Sequence, residues 1–115
     1  TTFAYSKPMV VNTYSRDKQV TVSVKITNTG KSEGKETVQL YLRDLYASVI
    51  RPIRELKGFE QVVLTPGQTK EITFTLTDQE LGFFNNQQQW LVEKGDFQVY
   101  VGGDSQTINQ VNFKL

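Results

Sequence analysis

Apolar and polar residues alternate along four segments of the chain. These segments are residues 19–28, 37–42, 71–76 and 97–101. A period of two residues places one side of a strand against a core and the other side toward solvent. The pattern therefore predicts four strands, each with one buried face.

Weaker apolar runs predict further strands between these four. Residues 9–14 are expected to form an edge strand, with Pro8 at its entry, where a missing backbone donor costs least. Three more strands are expected at residues 57–64, 89–93 and 108–115. Seven or eight short strands in a chain of this length predict an all-β, two-sheet antiparallel sandwich.

Local signals predict how some of these strands are joined and packed. Pro66-Gly67 is typical of a type II turn, because Pro fixes the first φ and Gly accepts the positive second φ. Residues 78–81 predict one helical turn with Asp78 as its N-cap. Trp90 is expected to lie in the core, because Val92 shares its face of the strand.

Composition supports a single β domain and excludes several functions. Val, Ile, Thr, Phe, Trp and Tyr make up 44 of the 115 residues, and such side chains suit a pleated sheet. The net charge of +1 gives no chain-wide basic surface for nucleic acid, and no apolar run is long enough to cross a membrane. The chain begins at Thr1, so we expect a piece of a longer protein.

The chain has no Cys and no His, which removes several kinds of site. Disulfides, thiolate nucleophiles, imidazole bases and Cys- or His-ligated metals are excluded. Calcium at Asn28, Asp96 or Asp104 would need oxygen ligands from loops, but no dense Asp/Asn series occurs, so turn chemistry is the preferred interpretation. We expect no catalytic residue, cofactor or metal in this chain.

Residues 43–59 fit no simple strand, since they mix apolar and basic side chains. One interpretation is a crossover that packs on its own sandwich. The other is a docking surface for a neighbouring domain, which suits Arg because its fork pairs with carboxylates and its stem covers apolar area. The candidate docking residues are Tyr46, Ile50, Arg51, Pro52, Ile53, Arg54, Glu55, Leu56, Lys57 and Phe59.

The order of several motifs resembles the C-terminal fibronectin type III-like domain of family 3 glycoside hydrolases, the β-glucosidase and β-xylosidase group. The resemblance covers nearly the whole chain, with one small departure at Gly103-Asp104-Ser105. It rests on residues 1–6, Asn28-Thr29-Gly30, Gly34, residues 38–41, Ser48-Val49, Arg51-Pro52, residues 55–59, residues 64–67, Trp90, Glu93, Gly95, Phe97, Val99, Val101 and Gly102-Gly103.

This resemblance implies an immunoglobulin/fibronectin type III-like fold for residues 1–115, as one domain of a larger glycosidase. In that family the nucleophilic Asp and the acid/base carboxylate belong to upstream domains, so neither maps onto this chain. The resemblance implies a non-catalytic accessory domain whose partners are those upstream catalytic domains, with oligosaccharide substrate involved at most indirectly. It also implies a bacterial periplasmic or secreted parent enzyme, and neither nucleic acid nor membrane as a partner.

Three other functions stay open at this stage. Catalysis by Asp44 and Glu55 would need two carboxylates about 5–10 Å apart across a cleft, although acids beside Arg are more often ion-paired surface groups. An immunoglobulin-like protein-interaction domain is compatible with the fold alone. Independent carbohydrate binding would use exposed flat aromatic rings, and the candidates are Tyr41, Tyr46, Phe83, Phe84 and Tyr100.

Overall fold

The computed structural model describes residues 2–11, 19–44, 54–77, 83–84, 87, 90–91 and 96–114. Among these residues there is no helix long and apolar enough to span a membrane. The strands are β1 (Phe3–Tyr5), β2 (Met9–Val10), β3 (Gln19–Asn28), β4 (Gly34–Asp44), β5 (Glu55–Leu64), β6 (Thr69–Thr77), β7 (Phe83–Phe84), β8 (Trp90–Leu91), β9 (Asp96–Gly102) and β10 (Gln110–Lys114).

Eight of these strands form two antiparallel sheets of four. In the first sheet, β3 pairs with β6 on one side and with both β1 and β2 on the other. The second sheet has the order β10-β9-β4-β5. Within the described residues, the short strands β7 and β8 pair with each other as a separate two-stranded sheet. The predicted two-sheet antiparallel sandwich is therefore confirmed.

The core lies between the sheets, on the faces that the alternation predicts. Each of the four strongly alternating segments contributes alternate residues that are almost fully inaccessible, and β5 adds two more. At roughly 1.5–3 kcal/mol for each large apolar side chain, this burial is the main favourable contribution to folding. The core residues are Val20, Val22, Val24, Ile26, Val38, Leu40, Leu42, Val62, Leu64, Ile72, Leu76, Phe97, Val99 and Val101.

Strand β1, which the sequence analysis did not predict, is tied to the opposite sheet by a hydrogen bond. The Tyr5 hydroxyl donates to Glu36 Oε2 of β4 at 3.0 Å. The pKa of Tyr5 is raised above its usual range. Burial of the hydroxyl is the main cause, and the hydrogen bond to the Glu36 carboxylate is the second. The bond connects the two sheets outside their apolar core.

Tyr5→Phe is expected to cost about 1 kcal/mol of stability near neutral pH, through loss of this hydrogen bond. It should also flatten the stability curve above pH 10. The folded-state pKa of Tyr5 is raised, so its contribution is full below the unfolded pKa of about 10 and is lost as the pH rises toward the folded value. Urea unfolding at pH 8 and pH 11 measures both effects. An equally steep alkaline decline in the variant would contradict this account.

Some predicted element boundaries fall on described residues and others do not. Strand β2 includes Met9–Val10 of the expected 9–14 and β8 includes Trp90–Leu91 of the expected 89–93, while residues 12–14, 89, 92 and 93 lie outside the described residues. Strand β10 begins at Gln110, two residues after its predicted start; just before it, the Asn109 carbonyl accepts a bond from the Val101 amide of β9 at 2.9 Å, and its side chain donates to the carbonyls of Ser6 and Val101. The expected helical turn at 78–81 and the side chain of Trp90 lie outside the described residues.

Strand β5 begins at Glu55, two residues before its predicted start, because a β-bulge hides its period in the sequence. Leu40 and Tyr41 are consecutive in β4, yet their partners in β5 are Gly58 and Leu56. Lys57 is therefore the extra residue, and the alternation changes phase there. The expectation that residues 43–59 form no simple strand is wrong at both ends, since β4 extends to Asp44 and β5 starts at Glu55.

The turn predicted at Pro66-Gly67 is confirmed. The amide of Gln68 donates to the carbonyl of Thr65 at 3.0 Å, which closes a four-residue turn. Gly67 has φ = 82°, the positive value that a type II turn requires at its second central position. The turn carries the chain from β5 of the second sheet to β6 of the first.

Candidate functional site

The structure describes half of the predicted docking residues and places them at the beginning of β5. Tyr46, Ile50, Arg51, Pro52 and Ile53 lie outside the described residues. The described ones are Arg54, which precedes β5, and Glu55, Leu56, Lys57 and Phe59 of β5. Strand β5 belongs to the second sheet, whose outer face is the one turned away from the core.

Three large apolar side chains of β5 project from this outer face. Leu56 is 50% exposed, Phe59 is 65% exposed and Val63 is 57% exposed. The bulge at Lys57 is what allows Leu56 and Phe59, three residues apart, to share one face. We call these three residues the β5 strip. Val63 was missed by the sequence analysis, although Val62-Val63-Leu64 already signals that one of three successive apolar residues faces outward.

The other predicted docking residues of β5 have partners within the domain. Lys57 Nζ lies 3.9 Å from Glu55 Oε2, an exposed pair that contributes at most about 1 kcal/mol. Gly58 follows Lys57 in β5 and faces inward. A Cβ added at Gly58 would lie 3.1 Å from Phe74 Cδ1. Gly58 thus allows the ring of Phe74 to close the side of the sandwich beneath the strip.

Arg54, just before β5, is bound to its own domain rather than open to a partner. Its guanidinium carbon lies 3.8 Å from the centre of the Tyr100 ring, and Nη1 donates to the carbonyl of Thr107 at 2.5 Å. A cation over an aromatic face contributes about 0.5–2 kcal/mol. Arg54 therefore joins the start of β5 to β9 and to the loop after β9.

The aromatic rings at the centre of the outer face give a poor platform for sugar. Tyr100 is only 8% exposed, under Arg54, and its hydroxyl donates to Gln98 Oε1 at 2.7 Å. Tyr41 is half-buried and its hydroxyl donates to Gln39 Oε1 at 2.5 Å. Tyr46 and the side chains of Phe83 and Phe84 lie outside the described residues. On this face, the exposed aromatic ring among the described residues is that of Phe59.

The candidate calcium-binding oxygens of Asn28 and Asp104 have structural roles instead. Asn28 Oδ1 accepts a bond from the amide of Gly30 at 2.8 Å, and Asp104 Oδ1 accepts one from the amide of Gln106 at 2.9 Å. Both are local turn bonds. The part of the chain that the structure describes contains no group of three or more acidic, His or Cys side chains arranged to hold a metal ion.

The two acids considered for catalysis are not brought together by any described contact. Asp44 is paired through its backbone with Phe97 of β9, and its side chain lies outside the described residues. Glu55 is paired through its backbone with Leu42 and approaches Lys57.

Comparison with known proteins places this arrangement in a family. The model of the fibronectin type III-like domain matches residues 36–105. A periplasmic β-glucosidase of Salmonella typhimurium is 43% identical over 100% of this chain, which corresponds to 15% of that protein. The β-glucosidase BoGH3A of Bacteroides ovatus is 46% identical over 94% of the chain, again 15% of that protein.

Solved structures give the same result. A GH3 β-glucosidase of Bifidobacterium adolescentis superposes with a TM-score of 0.90 at 35% identity, covering 99% of this chain and 17% of its own. A β-glucosidase of Kluyveromyces marxianus superposes with a TM-score of 0.89 at 38% identity. The match covers 100% of this chain and 14% of that protein. The chain thus spans about 15% of the length of the curated relatives that it matches, which confirms the prediction of an accessory domain. The chain belongs to the fibronectin type III-like domain family.

Proposed function

We propose that this chain is the non-catalytic accessory domain of a longer β-glucosidase-type glycoside hydrolase, and that it docks against the catalytic part through the outer face of its second sheet. The observation that carries the proposal is the β5 strip, Leu56, Phe59 and Val63, exposed along one strand. Leu56 and Phe59 are neighbours on this face, and Val63 lies beyond Gln61; apolar side chains grouped on an exposed face are typical of interaction sites. The docking partner is the remainder of the same polypeptide, which makes up most of each relative.

Three of the described acidic side chains make structural contacts within the domain, which favours an accessory role over catalysis. Glu36 accepts the bond from Tyr5, Asp104 caps a turn and Glu55 approaches Lys57. A pair of carboxylates facing each other across a cleft would be needed to hydrolyse a glycosidic bond. We assign hydrolysis of β-glycosides to the remainder of the polypeptide.

The parent protein is proposed to work outside the cytoplasm, in the periplasm or as a secreted enzyme. One relative of this chain is named a periplasmic β-glucosidase. The absence of Cys is compatible with either an oxidising or a reducing compartment. A signal sequence at the start of the parent gene would support this placement, and its absence would oppose it.

Docking through the β5 strip is tested by Phe59→Thr combined with Val63→Thr, both in this chain and in the longer protein. Thr keeps the strand preference while removing exposed apolar area. Substitutions at exposed positions usually change stability by less than about 0.5 kcal/mol, so the melting temperature of this chain should hardly change. In the longer protein the same variant is expected to melt several degrees lower and to lose activity after mild heating.

A matched control uses the first sheet, where Met9 is 65% exposed and Val11 is 60% exposed. Met9→Thr with Val11→Thr removes comparable apolar surface away from the strip, and should have little effect in either protein. If both double variants lower the melting temperature of the longer protein equally, the strip does not dock. The same conclusion follows if the strip variant lowers the melting temperature of this chain and of the longer protein equally.

Independent carbohydrate binding is the competing function, and among the described residues of the outer face Phe59 is the exposed ring that could carry it. Titration of this chain with cello- and xylo-oligosaccharides should give no saturable change in tryptophan fluorescence or heat. Binding that disappears in the Phe59→Thr, Val63→Thr variant would favour a carbohydrate-binding module over a docking domain.

A further inference from the structure

Arg43, at the end of β4, carries a hydrogen-bond donor that no described residue of the domain satisfies. The side chain is half-buried, and its Nε atom is buried with no acceptor among the residues that the structure describes. Buried donors are nearly always bonded, and leaving one on a charged group unpaired is costly. An acceptor supplied from outside this chain would remove that cost.

The position of Arg43 makes it part of the same surface as the β5 strip. Arg43 shares the outer face with Tyr41 of its own strand and is paired with Gln98 of β9. Tyr41 in turn is paired with Leu56, the first residue of the strip. Leu56, Tyr41 and Arg43 are therefore successive neighbours on the outer face, and they connect the β5 strip to the unsatisfied guanidinium.

The charge on this surface favours an acidic partner. Lys35 and Arg43 of β4 lie on the outer face, and Arg54 lies beside it; the acid described on the same face is Asp96, at the start of β9. In the part of the chain that the structure describes, Asp96 forms no ion pair with Arg43. With the neighbouring Glu55–Lys57 pair of β5 included, four basic groups stand against two acidic groups, and this excess attracts a negatively charged partner and repels a basic one.

We infer that Arg43 receives a carboxylate side chain from the remainder of the longer polypeptide, as the polar anchor of the docking surface. The inference rests on the proposed docking function. A guanidinium presents Nε–H and one Nη–H in parallel, which matches the two oxygens of a carboxylate. The unsatisfied Nε is one half of that pair of donors. The β5 strip would supply apolar area, and Arg43 would fix the orientation of the two surfaces.

Arg43→Met gives the inference a test in which two proteins respond in opposite directions. Met retains most of the apolar stem and removes the buried unsatisfied donor, so this chain alone should melt at the same temperature or higher. In the longer protein the variant loses the bond to the carboxylate and should melt several degrees lower. Arg43→Lys keeps the charge without the parallel donors and should restore only part of that loss. Lys35→Met, an exposed charge on the same face, should change neither protein by more than about a degree.

The outcomes separate this inference from the docking proposal. If Arg43→Met lowers the melting temperature of both proteins equally, Arg43 serves its own sandwich and the inference fails. An equal loss on Asp96→Asn in this chain would identify Asp96 as the internal acceptor and would also overturn it. If Arg43→Met has no effect in the longer protein while Phe59→Thr with Val63→Thr still does, docking stands and only the carboxylate anchor is lost. If neither has an effect there, the docking proposal itself is wrong.

Discussion

Asn28→Ala is expected to lower the free energy of unfolding by roughly 2–5 kcal/mol, since each unsatisfied buried polar group costs about 1–3 kcal/mol. Asn28 is fully buried at the end of β3. Its Nδ2 group donates to the carbonyls of Leu64 at 2.8 Å and Ser32 at 2.9 Å, and its Oδ1 accepts from the amide of Gly30. Alanine would leave all three backbone groups without this partner.

The backbone of Asn28 also joins two turns at one end of the sandwich. Its amide donates to the carbonyl of Gln68 at 3.0 Å, and its carbonyl accepts from the amide of Gly67 at 2.8 Å. Together with the side-chain bonds, these contacts hold the loop after β3 against the turn between β5 and β6. Chemical denaturation, followed by the fluorescence of the single Trp, measures the loss, and a loss below about 1 kcal/mol would show that water replaces the side chain.

Asn28→Asp isolates the contribution of the two donated bonds. The shape and the acceptor for Gly30 are kept, but an ionised carboxylate would face the carbonyl of Leu64 with no proton to donate. Burial next to a carbonyl raises the pKa of such a carboxyl, and a raised folded-state pKa means stability that is present at low pH and lost as pH rises. The difference between the variant and the parent should therefore shrink below pH 4. A difference independent of pH would refute the proposed role of the donors.

The strands that the sequence predicts best are those whose period is regular. Segments 19–28 and 71–76 show strict alternation, and both fall within strands that pair with each other from Gln19 to Thr27 of β3 and from Thr69 to Thr77 of β6. Strand β1 has only three residues, too few for a period to be recognised. The start of β5 was missed because Lys57 shifts the phase, and a bulge depends on contacts with the neighbouring strand that no local pattern records.

The candidate surface could be predicted only in part. Leu56 and Phe59 were identified because apolar residues among charges are unusual in a solvated loop. The role of Arg54 could not be predicted, because its partners Tyr100 and Thr107 are more than 45 residues away along the chain. No sequence signal marks Arg43, since an unsatisfied donor is a property of packing and not of residue type.

Gly102→Ala is expected to destabilise the domain by roughly 2–4 kcal/mol, combining overpacking of about 1–3 kcal/mol with lost hydrogen bonds. A Cβ at Gly102 would lie 2.4 Å from Thr107 Oγ1 and 2.5 Å from Thr107 Cβ. The Thr107 Cβ is next to the backbone, so the clash displaces the loop and not merely a flexible side chain. That loop also holds the Thr107 carbonyl against Arg54, so Arg54 would lose its acceptor.

The neighbouring glycine gives a control with the same substitution. A Cβ at Gly103 would lie 2.9 Å from Glu36 Oε2, the end of a side chain that can move at the cost of its bond from Tyr5, about 1 kcal/mol, so Gly103→Ala should cost less than Gly102→Ala. Thr107→Gly removes the atoms that a Cβ at Gly102 would strike. The double variant Gly102→Ala, Thr107→Gly should therefore be more stable than the sum of the two single losses predicts, with a coupling of about 1 kcal/mol or more. Thermal melts of the four proteins give this coupling directly. Strict additivity would mean that the chain relieves the clash elsewhere, and that the close approach of Thr107 to the backbone of Gly102 does not determine the position of the loop.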